Sequence, residues 1–113
     1  MFKYYYLIYV LEKPRIIDRP LVFQTYTRGT MVYITCKSRG DPTPTVTWKW
    51  NDQQNITHVQ FRANGATLVI EALDESLVGK YQCLVKNAVG FDSAKILVNV
   101  FGKILLHQST FPN

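Results

Sequence analysis

The chain has 113 residues, 47% of them hydrophobic and 13% aromatic, with 13 Lys and Arg against 8 Asp and Glu for a formal net charge of +5. That length bounds it to one domain with a modest core, and the apolar content excludes a disordered chain. The basic residues are scattered, from Lys13, Arg15 and Arg19 through Lys37, Lys49 and Arg62 to Lys80, Lys86 and Lys95. That is a solvated surface; it excludes the concentrated basic face of a nucleic-acid binder.

Met1–Leu11 is apolar apart from Lys3. It begins like a signal peptide, but Glu12-Lys13-Pro14-Arg15 follows where small residues would mark a cleavage site. The stretch is too short to span a bilayer, so no membrane insertion is expected. Three readings stay open: a degenerate signal, a strand of a preceding domain, or an artefact of gene prediction. Residues 1–12 are therefore set apart as an unassigned extension. Pro14 and Pro20 bracket Arg15–Arg19, and proline cannot donate to a ladder, so this segment is predicted as an edge strand with a break. A first strand that switches from one sheet to another fits, with Leu21–Thr27 its second half.

Gly29 turns the chain into Thr30–Ser38, whose Val32, Ile34 and Cys36 point inward. Arg39-Gly40-Asp41-Pro42-Thr43-Pro44 is a loop leading to Thr45–Trp50, where Val46, Trp48 and Trp50 share the buried parity and Thr47 and Lys49 face out. Asn51-Asp52 is a turn signal. Gln53–Asn64 is polar, with His58–Ala63 its best strand. After the Asn64-Gly65 turn, Thr67–Glu71 is a strand with Leu68 and Ile70 inward, and Asp74–Val78 is predicted as a helical turn. Gly79–Asn87 alternates again: Tyr81, Cys83 and Val85 on one face, Lys80, Gln82 and Lys86 on the other. Gly90, in the left-handed conformation, is predicted to close a three-residue loop. The last strand puts Ala94, Ile96, Val98 and Val100 inward. Phe101–Asn113 is a tail or linker with no partner in a single sandwich.

Cys36, Trp48 twelve residues later, and Tyr81 two before Cys83 form a recognisable set. Gly40-Asp41-Pro42-Thr43-Pro44 ahead of the tryptophan strand, and Tyr81-Gln82-Cys83 followed by Asn87 and Gly90, add to it. From Lys13 to Val100 the chain resembles an immunoglobulin domain of the intermediate set. The resemblance implies an all-β, two-sheet antiparallel Greek-key sandwich over 13–100. It also implies a Cys36–Cys83 bridge between the sheets, Trp48 packed on the bridge with Leu68 in the same core, and a tyrosine corner at Tyr81. The family carries an aspartate two residues before the glycine of its Asp-x-Gly-x-Tyr-x-Cys motif, where this chain has Leu77. Arg62, the nearest candidate for the basic partner of that aspartate, is left without it, and the corner loses that support.

Such a bridge needs an oxidising compartment, which favours secretion or the cell surface. Asn55-Ile56-Thr57 is an N-glycosylation sequon in a polar stretch and points the same way. The resemblance implies a non-catalytic protein-interaction module, a fragment of an adhesion, receptor or matrix protein of the group that includes contactins, roundabout receptors and hemicentins. The alternative is a structural domain of a cytoplasmic, sarcomeric protein similar to titin or twitchin. Partners are other proteins, homophilic or heterophilic. On the sheet of the Trp48, Cys83 and Ile96 strands, the outward residues Lys49, Leu84, Lys86, Lys95 and Leu97 form a candidate binding face, with Leu84 and Leu97 expected within diagonal reach; the alternative is that the N-terminal stretch or a neighbouring domain covers them.

Nothing supports catalysis: there is no Gly-x-Ser-x-Gly elbow, phosphate loop or His-Glu-x-x-His. His58 and His107 stand apart from other ligand-type residues, as surface histidines do, so neither a metal nor a cofactor is expected. Arg39-Gly40-Asp41 spells an integrin-recognised tripeptide; the family pattern already accounts for Gly40 and Asp41, so coincidence is the better account of Arg39, with integrin binding the lesser alternative.

Overall fold

A computed structural model describes residues 10–102. The predicted alternation becomes nine strands: β1 (Glu12–Ile16), β2 (Phe23–Tyr26), β3 (Val32–Thr35), β4 (Ser38–Asp41), β5 (Thr45–Trp50), β6 (Gln60–Arg62), β7 (Thr67–Ile70), β8 (Gly79–Asn87) and β9 (Gly90–Val100). The expectations for Met1–Tyr9 and for Lys103–Asn113, His107 included, lie outside the described residues.

One sheet runs β2-β9-β8-β5 and the other β3-β7-β6, with β1 paired to β4. Only Cys36 and Lys37 separate β3 from β4, and the Ile17 amide donates to the Lys37 carbonyl at 2.8 Å, so β1 extends the second sheet. The chain then crosses over, and β2 lies parallel to β9 in the first sheet. Pro14 is absorbed by a bulge in the β1–β4 register. Asp92 clamps the crossover: its Oδ2 accepts from the Ile16 amide at 2.9 Å and from Arg19 Nη1 at 3.0 Å. Burial opposes ionisation of Asp92, but the Ile16 and Ser93 amides and Arg19 together outweigh it and hold its pKa below the usual carboxylate range.

The core lies between the sheets. Val32, Ile34, Leu68 and Ile70 from one sheet meet Tyr81, Val85, Ile96 and Val98 from the other. The Cys36–Cys83 disulfide joins the two across a Cα–Cα distance of 6.6 Å, and both cysteines are fully buried. Trp48 is directly opposite Cys83 in the β5–β8 register. A 3-10 turn over Glu75–Leu77 is capped by Asp74, whose Oδ1 accepts from the Ser76 amide at 2.8 Å.

Two local expectations change. Gly90 does not adopt a left-handed conformation. Asn87 pairs with Gly90 and leaves a two-residue loop, in which Asn87 Oδ1 accepts from the Val89 amide. Glycine at 90 instead admits the Lys13 side chain, which would stand 3.2 Å from a Cβ there. Val69 points to the outer face of its sheet yet is fully buried. Tyr33 and Gln60 flank it in register, and the Arg62 guanidinium sits 5.8 Å over the Tyr33 ring, closing that face.

Candidate interaction face

The tyrosine corner forms without the aspartate. Tyr81 Oη donates to the Leu77 carbonyl at 2.5 Å, so the residue in the aspartate position contributes its backbone. Among the described residues Arg62 has no carboxylate within ion-pair distance; it stacks on Tyr33 instead. His58, expected at the surface, is half-buried in this corner, with Nε2 at 2.7 Å from Tyr81 Oη and its ring edge-on to Trp50 at 4.4 Å. The phenol has one proton and gives it to Leu77, so His58 Nε2 must be the donor to Tyr81. The sequence pattern put His58 at the start of a strand, but the strand begins at Gln60 and residues 54–59 are irregular, so no periodicity reports where this side chain points.

Burial lowers the His58 pKa below that of an ordinary imidazole, with Asp74 opposing. The unfolded chain therefore takes up the proton first, near pH 6.5. Stability is full above that value and is lost as pH falls toward the depressed folded pKa. Thermal unfolding between pH 7.5 and 5 is expected to show a falling midpoint that His58→Gln flattens; identical slopes for the two proteins would exclude the mechanism. Tyr81→Phe leaves the Leu77 carbonyl and His58 Nε2–H unpaired and is expected to cost about 1–3 kcal/mol. Urea unfolding measures it.

On the outer face of the β2-β9-β8-β5 sheet the register arranges the predicted residues in rows. Thr47, Leu84 and Ser93 form one row, and Lys49, Gln82 and Lys95 the next. Lys86 lies between Thr45 and Phe91, while Leu97 lies between Lys80 and Phe23. Leu84 and Leu97 are thus not diagonal neighbours. Four residues of strand, about 13 Å, separate their rows. Leu84 has Phe91 as its diagonal neighbour instead, and Leu97 has Phe23 beside it. Phe91 and Phe23 are exposed, and composition alone gave no reason to single them out. Lys49, Lys86 and Lys95 have no carboxylate within ion-pair distance among the described residues, whereas Lys80 pairs with Asp52 at 2.9 Å.

A groove of about 680 Å³ opens beside this face, between Leu84 and Phe91 on one side and Phe61 and Gly65 on the other. Asn55 is exposed in the crossing segment next to it. Arg39, Gly40 and Asp41 lie in β4, paired with β1, rather than on a free loop. A Cβ on Gly40 would come within 2.9 Å of Pro44 Cγ and 3.2 Å of Pro14, so this glycine is required by packing. Among the described residues no group of three or more His, Cys, Asp or Glu is placed to hold a metal ion.

The family profile described as the immunoglobulin I-set domain matches residues 14–100. The chain is 36% identical over 86 residues to the Xenopus laevis "Cell adhesion molecule-related/down-regulated by oncogenes", covering 76% of this chain and 7% of that protein. It is 35% identical over 82 residues to the Mus musculus "Peroxidasin homolog", covering 70% of this chain and 6% of that protein. The chain therefore spans less than a tenth of the length of either relative. Among solved structures, a chain of the titin M10–obscurin-like 1 Ig complex superposes with a TM-score of 0.70 at 28% identity, over 80% of this chain and 95% of that one.

Proposed function

The chain belongs to the immunoglobulin I-set domain family, and from that premise we propose that it is a non-catalytic, extracellular protein-binding module of a larger adhesion, receptor or matrix protein. The observation that carries the reading is the outer face of the β2-β9-β8-β5 sheet. There a half-buried Leu84 and the exposed Phe91 diagonal to it are flanked by Lys49, Lys86 and Lys95 with no carboxylate at ion-pair distance among the described residues. Such a patch fits a partner that brings apolar side chains within an acidic border. The buried disulfide supports an oxidising compartment, as does the resemblance to a relative named a cell adhesion molecule. The match to the peroxidasin homolog covers 6% of that protein, and no activity is carried over from it.

A second reading, a structural domain of a sarcomeric protein, is favoured by the likeness to the titin M10–obscurin-like 1 pair. One experiment separates the readings, and a second tests the sequon. The domain, displayed as a multimer, is tested against panels of secreted ectodomains, itself included, and of sarcomeric Ig domains. A secreted binder lost on Leu84→Asp with Lys95→Glu, at an unchanged thermal midpoint, is the expected result; binding that survives both substitutions places the contact elsewhere. Fused to a secretory leader, the domain is expected to carry a glycan at Asn55. Enzymatic deglycosylation then shifts its mobility, and Asn55→Gln removes the shift. An unshifted band counts against the sequon.

A further inference from the structure

In an antiparallel ladder the N–H and C=O of one residue point to the same side, and those of the next residue to the other. Trp50 sets the phase of β5. Its amide donates to the Gln53 carbonyl and its carbonyl accepts from the Gln53 amide, both at 2.9 Å, on the side away from β8. Asn51, the next residue, donates to Lys80 on the β8 side. Trp48 and Val46 therefore turn their N–H and C=O groups to the same open side as Trp50. Among the described residues nothing bonds these four groups. The Gly65 carbonyl, which lies close by, takes the Trp48 indole N–H at 2.7 Å instead.

The local sequence explains the vacancy. Asn51 and Asp52, both at positive φ, make a two-residue turn, but the returning chain pairs through Gln53 alone and then leaves. Among the described residues no second strand covers the edge. The open side faces the groove of about 680 Å³, in which Phe61 and Gly65 stand across from Val46 and Trp48. Gly65 adopts φ +89, and a Cβ there would lie 3.3 Å from the Val46 carbonyl oxygen, so only a residue without a side chain fits beside that carbonyl. Natural sheets cover or charge such edges, and among the described residues this one is left open, with Phe61 on one side and Leu84 and Phe91 on the other.

The geometry points to strand addition: an extended segment of a partner protein, alternating apolar and acidic side chains, pairs with the open edge of β5 through Val46 and Trp48. Pairing at an edge gives affinity through the backbone and specificity through alternate side chains. Charge selects the occupant. Among the described residues no Asp or Glu lines the groove, Lys49 does, and Lys95 stands in the same row. An added strand turns alternate side chains to the outer face, beside the Lys49–Lys95 row, and the intervening ones to the inner side, toward Phe61. Carboxylates suit the first set and apolar residues the second.

The inference rests on the binding-face reading and specifies how that face is used. The probe is a fluorescent synthetic peptide alternating valine and glutamate, titrated onto the intact domain by anisotropy. N-methylation of one alternate set of its amides blocks the hydrogen-bonding edge and is expected to weaken binding at least about tenfold, the net worth of two backbone hydrogen bonds. N-methylation of the other set is expected to leave binding unchanged, and lysine in place of glutamate to abolish it. No binding by the unmodified peptide, equal binding by both methylated forms, or equal binding by the lysine peptide each overturns strand addition. The protein is unaltered throughout, so misfolding cannot imitate any of these results. If strand addition fails while a panel partner still depends on Leu84 and Lys95, the face reading stands. If the panel partner ignores those substitutions, the face reading fails whatever the peptide does.

Discussion

Trp48→Ala is expected to remove about 3–5 kcal/mol of unfolding free energy, as other large core truncations do. The indole is 5% exposed and lies opposite Cys83, so the substitution opens a cavity against the disulfide. It also leaves the Gly65 carbonyl without the indole N–H that meets it at 2.7 Å. Urea unfolding at fixed pH measures the loss. A change of about 0.5 kcal/mol, the size of an ordinary surface effect, would falsify the placement of Trp48 in the core.

Cys36→Ala with Cys83→Ala is expected to cost a similar amount by a different route. The bridge closes a loop with a sequence separation of 47, for which chain entropy gives about 4 kcal/mol through the unfolded state. The oxidised protein should weigh two hydrogens less than the reduced one, and reducing agent should lower the urea midpoint toward that of the double variant. Wild-type protein whose midpoint ignores the reductant would show that the bridge contributes nothing. A domain of this size holds about 5–15 kcal/mol in all, so either change consumes a large share. The two sites touch the same part of the core, and their effects should not add.

What the sequence made legible was parity. Alternation in Gly79–Asn87 and in Ala94–Val100 gave the inward faces correctly, because one side of each strand must be apolar to be buried. The cysteine, tryptophan and tyrosine positions gave the fold, and Pro14 and Pro20 gave the sheet change. Parity does not say which row a residue occupies. Leu84 and Leu97 share a face, but the register of the β8–β9 hairpin sets Leu84 opposite Ser93 and Leu97 opposite Lys80. Nor does parity anticipate burial on an outward face. Val69 is covered by neighbours on two other strands, and no local pattern reports that. His58 was missed for a related reason: its partners, Tyr81 and Trp50, are distant in sequence, and its own segment is irregular.

The parallel pairing of β2 with β9 determines how the domain would carry tension. Tension applied through the two ends of the chain reaches Phe23 from its N-terminal side and Val100 from its C-terminal side. The neighbouring strands are then pulled in opposite directions along their length. The rungs between them, together with the flanking bonds from Leu97 to Val22 at 2.6 Å and from Phe101 to Tyr26 at 2.9 Å, are loaded together in shear rather than opened one at a time. Asp92, which grips Ile16 and Arg19 from β9, adds a tether just upstream of the same junction. Rupture has to break these bonds in concert, so the rate of forced unfolding is set by a strip at the β2–β9 edge, far from the open edge of β5. A partner strand seated on β5 would leave that mechanical resistance untouched.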